Sequence, residues 1–131
     1  MDSRAQYATE ALEEPTLEKV IRTIFDNTVA FLTTPGHPPT CMTLAGAMGC
    51  SVDAAPARDL MPEVRRQNEV AIRERLLEAR KSGELSKNIN VDDYTRYLSS
   101  ILAGLSVQAA NGSTKAELKR TSQMALRHLG Y

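Results

Sequence analysis

Apolar residues recur at helical spacing along nearly the whole chain, and nowhere do they alternate as a strand would. Between Thr16 and Leu32, the residues Leu17, Val20, Ile21, Ile24, Phe25, Thr28 and Leu32 fall on one face, the rhythm of an amphipathic helix. A second stripe, Leu60, Met61, Val64, Ala71, Ile72 and Ala79, predicts a helix from about Arg58 to Ser82. Gly83 suits its stop, and Arg80 and Lys81 sit in its last turn, where cations favour the helix dipole. Asn90 reads as the N-cap of a helix that ends near Asn111, with Asp92 and Asp93 in the first turn. Thr114 and Glu117 have the spacing of a capping box and open a last helix that ends near Leu129. Two weaker segments complete the set. The chain up to about Glu14 carries Ala5, Ala8 and Leu12 and reads as helix already under way at residue 1, with Asp2 or Ser3 the only available caps. A short helix from about Cys41 to Cys50 follows the Pro-rich loop Thr34 to Thr40, and Gly46 and Gly49 weaken it by ~1 kcal/mol each relative to Ala. Breaks fall at Pro15, in the Pro-rich loop, at Pro56, at Ser82-Gly83 and at Asn111-Gly112. The pattern predicts an all-α domain of six helices.

The fifth of these helices has no polar side. Tyr94, Leu98, Ile101, Leu105 and Ala109 share one face, while Ser99, Ser100, Ala103, Val107 and Ala110 occupy the other, with Gly104 on the flank. A helix that is apolar or small nearly all round is buried on both sides. Six helices can hardly surround it, so a second copy of the chain is expected to cover the far face, where small residues let two helix axes approach closely. The sixth helix repeats the theme with Leu118, Thr121, Ser122, Ala125 and Leu129. Two such helices from each of two subunits predict a four-helix bundle about a two-fold axis, that is, a homodimer.

Two polar residues interrupt an apolar stripe. Asn68 and Arg75 fall near the middle of the stripe of the fourth helix, where an unpaired polar group would cost ~1–3 kcal/mol. They are either paired internally or face a cavity that admits a ligand. Met42, Met48 and Met61, with Phe25, Phe31, Tyr94 and Tyr97, fit either a plain core or the wall of an apolar pocket.

Composition narrows the choice. The chain has 131 residues, one domain's worth. Sixteen basic residues balance sixteen acidic ones, whereas an isolated nucleic-acid module would be clearly basic. No apolar run approaches the ~20 residues of a membrane span, and the first residues lack the apolar core of a secretory signal. Cys41 and Cys50 cannot build a disulfide scaffold or a four-cysteine zinc site and suit a reducing, cytoplasmic compartment. His37 and His128 are far apart in sequence, and no metal-binding spacing, nucleophile elbow, phosphate loop or dinucleotide fingerprint is present. Neither an enzyme, a metal nor a cofactor is expected.

The order of segments resembles a known family. Leu77-Glu78-Ala79-Arg80-Lys81-Ser82-Gly83-Glu84-Leu85, then Asn90-Val91-Asp92-Asp93-Tyr94-Thr95-Arg96-Tyr97-Leu98, then Ile101 to Ala109, then Gly112 to Leu118, resemble the C-terminal regulatory domain of TetR/AcrR-type transcriptional regulators. Thr40-Cys41-Met42-Thr43-Leu44 is similar to the opening of a middle helix there. The resemblance covers essentially the whole chain and is strongest from about residue 76 to 129. It implies an all-helical body that dimerises through its last two long helices and binds a small, largely apolar effector between the middle ones. It also implies an N-terminal helix-turn-helix head that releases operator DNA when the effector binds. That head is missing here; Leu44-Ala45-Gly46-Ala47-Met48-Gly49 only echoes its motif. Residues 1–14 would then be the remainder of a connecting helix, in a fragment of a longer regulator or in a head-less relative.

The sequence therefore points to residues 1–131 as an effector-sensing and dimerisation domain. Its ligand-binding candidates are Phe25, Thr28, Met48, Met61, Asn68, Arg75, Tyr94 and Tyr97. The dimer candidates are Ser100, Gly104, Val107, Leu118, Ser122 and Ala125. A purely structural dimerisation module without a ligand is the alternative.

Overall fold

A computed structural model of the chain describes residues 10–35 and 55–131, with the side chains of residues 55–65 left aside. Among the described residues all regular structure is helical: α1 (Leu17–Leu32), α2 (Ala55–Ser82), α3 (Val91–Ala110) and α4 (Lys115–His128). Residues 10–12 form one further helical turn. Of the six expected helices, the first is thus seen only at its end. The expected helix Cys41–Cys50 lies outside the described residues.

The helix ends follow local chemistry. The Thr16 hydroxyl accepts from the Lys19 amide at the start of α1. At the other end, Thr33 and Thr34 hydroxyls donate back to the carbonyls of Val29 and Ala30. The bond to Ala30 satisfies a carbonyl at the helix end, while Val29 O also accepts from the Thr33 amide at 3.1 Å. Asn90 caps α3 by accepting from Asp93 N at 3.0 Å. The capping box opening α4 is complete: Glu117 N donates to Thr114 Oγ1 and Thr114 N to Glu117 Oε1. The bond from the Thr114 amide is the main cause holding the Glu117 carboxyl below its usual range. Gly83 and Gly112 follow α2 and α3 at φ of +91° and +99°, a region closed to most side chains. One expectation needs correction: Pro56 does not break the chain before α2. The helix begins at Ala55, and Pro56 sits in its first turn, where the missing N–H has no intrahelical acceptor anyway.

Helix α3 packs against each of the other three, and α1 also lies along α4. Their shared core is Leu17, Ile21, Phe25, Val29 and Leu32 of α1, Leu76 and Ala79 of α2, Leu98, Leu105 and Ala109 of α3, and Leu118 and Leu126 of α4, with Leu85 and Val91 from the turn between α2 and α3 and its end. Arg73 pairs with Asp92 across α2 and α3, and Arg80 Nη1 donates to Ile89 O at 3.3 Å. These contacts set the two helices side by side over the small recess described next.

Candidate functional site

Ile21, Ile24 and Phe25 of α1, Ile72 of α2, and Leu98 and Leu102 of α3 enclose a recess of about 10 Å³. That is room for about one water, and a void lined only by carbon stays dry. The three helices meet here because each offers an apolar stripe at the same level. No described polar side chain lines the recess, so nothing in its wall would fix a charged or strongly hydrogen-bonding group.

The expected ligand contacts divide around it. Phe25 lines the recess and is 1% exposed, a core residue as much as a pocket wall. Thr28, one turn on, is half-buried and donates its hydroxyl to Ile24 O at 2.8 Å. Asn68 is exposed; among the described side chains of α2, the packed ones run from Ile72 through Leu76 and Ala79. Arg75 is half-buried, and its Nη2 donates to the carbonyl of Glu14 at 3.5 Å. Met48 lies outside the described residues, and so does the Met61 side chain.

Tyr94 and Tyr97 face differently. Tyr97 is 49% exposed. Tyr94 is half-buried, and its pKa is pushed up to about 12, chiefly by burial, then by its neighbours Tyr131 and Tyr97 and by a hydrogen bond with Tyr131. Tyr131 is raised as well, by burial and by the Glu18 and Glu84 carboxylates nearby. This polar corner also holds the start of α1, where Leu17 N donates to Glu84 Oε2 at 2.6 Å. None of these groups lines the recess. Sequence reasoning missed Ile21, Ile24, Ile72, Leu98 and Leu102 as its wall, although all but Leu102 belong to the apolar stripes counted above.

The far face of α3 is open. Ser100, Gly104 and Ala110 are exposed, and Ser99, Ala103 and Val107 are half-buried. A Cβ added at Gly104 would meet no heavy atom within 4 Å. Ser100 donates to Arg96 O, so its hydroxyl is satisfied within the helix. Met124 of α4 is 54% exposed, and Ala125 is half-buried. Leu118 and Ser122 differ from the other expected dimer residues. They are 1% and 4% exposed within one chain and turn inward with Leu126. The spacing of four residues puts all three on the side of α4 that packs on its own protomer.

Ser122 Oγ is buried and has no hydrogen-bond partner. A buried hydroxyl without a partner costs ~1–3 kcal/mol. Ser122→Ala is therefore expected to leave the fold intact and raise the urea midpoint at unchanged slope. A lowered midpoint would show that the hydroxyl has found a partner.

Among the described residues no cluster of side chains could hold a metal ion, and no helix is long and apolar enough to cross a membrane. The tetracyclin repressor-like C-terminal domain family matches residues 17–125, which take in most of the four helices. Two solved structures share the fold. Both are cysteine mutants of the TetR family transcriptional regulator CifR in complex with 26-bp double-strand operator DNA. They are 23% and 22% identical in sequence, with TM-scores of 0.82 and 0.83. Each similarity covers 95% of this chain and 66% of the other, so this chain spans just under two thirds of their length. No curated protein sequence matches it.

Proposed function

Because the chain belongs to the tetracyclin repressor-like C-terminal domain family, we propose that it is the effector-sensing and dimerisation body of a TetR-type transcriptional regulator in the cytoplasm. The observation that carries this reading is the family match over residues 17–125; the carbon-lined recess shared by α1, α2 and α3 is where an apolar molecule would enter. Three separate helices wall it, so an apolar molecule that enlarges it must move them relative to one another. A ligand that fits one arrangement better than another shifts the population between them. A coupling of ~1–3 kcal/mol is enough for a working switch.

In this reading two copies meet across the open face of α3, around Ser100, Gly104 and Val107, with Ala125 and Met124 of α4 at its border. In the same reading operator DNA is held by a helix-turn-helix head joined through residues 1–14, in a part of the longer regulator that this chain does not span. The balanced charge of this chain fits a body that does not itself grip DNA. Effector binding relieves operator binding by changing how the two subunits hold their heads.

One observation favours a second reading. The recess measures only about 10 Å³ as it stands, which suits a ligand-free dimerisation module. Thermal unfolding with a panel of small alkyl and aromatic compounds separates the two. A true effector at a hundredfold excess over its Kd stabilises the folded chain by about 2.7 kcal/mol. Ile24→Asn, which puts an amide into the wall, is expected to abolish that gain. A panel in which no compound raises the wild-type midpoint would leave the dimerisation module as the answer.

A further inference from the structure

Ile72 and Arg75 lie three residues apart on α2 and touch different parts of the molecule. Ile72 forms part of the recess wall. Arg75 reaches back across 61 residues of sequence to the carbonyl of Glu14. Glu14 ends the short N-terminal segment, in which Glu13 N donates to Glu10 O at 3.3 Å and Glu14 N to Ala11 O at 3.2 Å. Ala11 is completely buried, so the segment is seated on the domain rather than trailing from it. Pro15 follows and has no amide to offer. Immediately after it, Leu17 N is held by Glu84, just beyond the end of α2. Both sides of the Pro15 corner are thus fastened by groups from the C-terminal part of α2 and the turn after it.

A guanidinium is well suited to the first of these fastenings. The carbonyl it meets lies just past the helical turn of residues 10–12 and immediately before Pro15. A charged donor to such a carbonyl is stronger than a neutral one. It also gives Arg75 a partner within the chain, one of the two outcomes expected for a polar residue in the apolar stripe of α2.

We propose that Arg75 is a positioning residue that couples the recess to residues 10–14, so that a displacement of α2 at Ile72 is carried about one helical turn to the Glu14 carbonyl. This assignment rests on the effector-sensing reading, because it gives the recess a mechanical output. The helix between the two residues is continuous, so the link between recess and segment needs no other moving part.

The test uses hydrogen exchange of individual amides by NMR on the whole chain. Arg75→Met keeps the length of the side chain and removes the donor. The Glu13 and Glu14 amides are expected to exchange on the order of tenfold faster, with the capped amides of Asp93 and Glu117 unchanged, and Arg75→Lys should restore part of the protection. Ile72→Phe then drives a ring into the recess in place of a ligand, and Ile72→Val enlarges the recess if the ring is not accommodated. Either variant should shift the Glu13 and Glu14 resonances in the Arg75 background and shift them by less than half as much in the Arg75→Met background. An equal response in both backgrounds, or unchanged exchange at Glu13 and Glu14 in Arg75→Met, would overturn the assignment. Failure of every apolar compound to bind would sink the effector reading but leave this cycle as measured.

Discussion

Replacing Gly104 by arginine is expected to halve the mass of the particle in solution, from twice 14.4 kDa to 14.4 kDa. The change adds bulk and charge where a second α3 is proposed to lie. It does so without disturbing the protomer, since Gly104 is exposed and an added Cβ meets nothing within 4 Å. Arginine is also a better helix former than glycine by ~0.5–1 kcal/mol. Sedimentation equilibrium at micromolar concentration reads the mass, and far-ultraviolet circular dichroism shows whether the helices are kept. A variant that retains both helix content and the wild-type dimer mass would place the subunit contact elsewhere. The same substitution at Ser100, about one turn earlier on the same side of the helix, should behave alike, because both positions face the same opening.

The second large effect is expected at Phe25. Among the described residues it is the largest fully buried side chain, and it belongs both to the core and to the recess wall. Truncating such a ring to alanine costs ~3–5 kcal/mol. Domains of this kind have only ~5–15 kcal/mol in total, so Phe25→Ala should lower the thermal midpoint by roughly 10–20 °C. The measurement is a reversible melt followed by circular dichroism. A drop of only a few degrees would mean that the neighbours collapse into the space, and that the helices around the recess adapt easily. A full drop would mean that the walls are stiff, and the enlarged void would then be the natural place to look for capture of an aromatic solute.

The parts of this fold that were legible in the sequence are those decided within one helical turn. Asn90 and the Thr114–Glu117 pair announce helix starts because a cap and the amide it serves are three residues apart; the Thr16 cap has the same local geometry but was not singled out. Gly83 and Gly112 announce stops for the same local reason. The open face of α3 was also legible, since small residues at helical spacing are visible without coordinates. What periodicity does not say is which neighbour covers a stripe. Leu118 and Ser122 were read as facing a second subunit, yet they face their own protomer. Asn68 was read as buried because it shares a face with Ile72, but its side chain is exposed. Val29 was passed over as core because the counted stripe ran through Thr28, whereas the structure buries Val29 to 2% exposure and leaves Thr28 half-buried. The recess wall and the tie between Arg75 and Glu14 bring together residues more than 45 positions apart, and no local pattern encodes such meetings.

The bond from the Leu17 amide to the Glu84 carboxylate spans 67 residues of sequence, and it bears on the order of events during synthesis. Until residue 84 has left the ribosome, the first amide of α1 has only water for a partner. The leading helix can coil early but cannot be locked in place, so its apolar face stays available to chaperones until more than half of the chain has emerged.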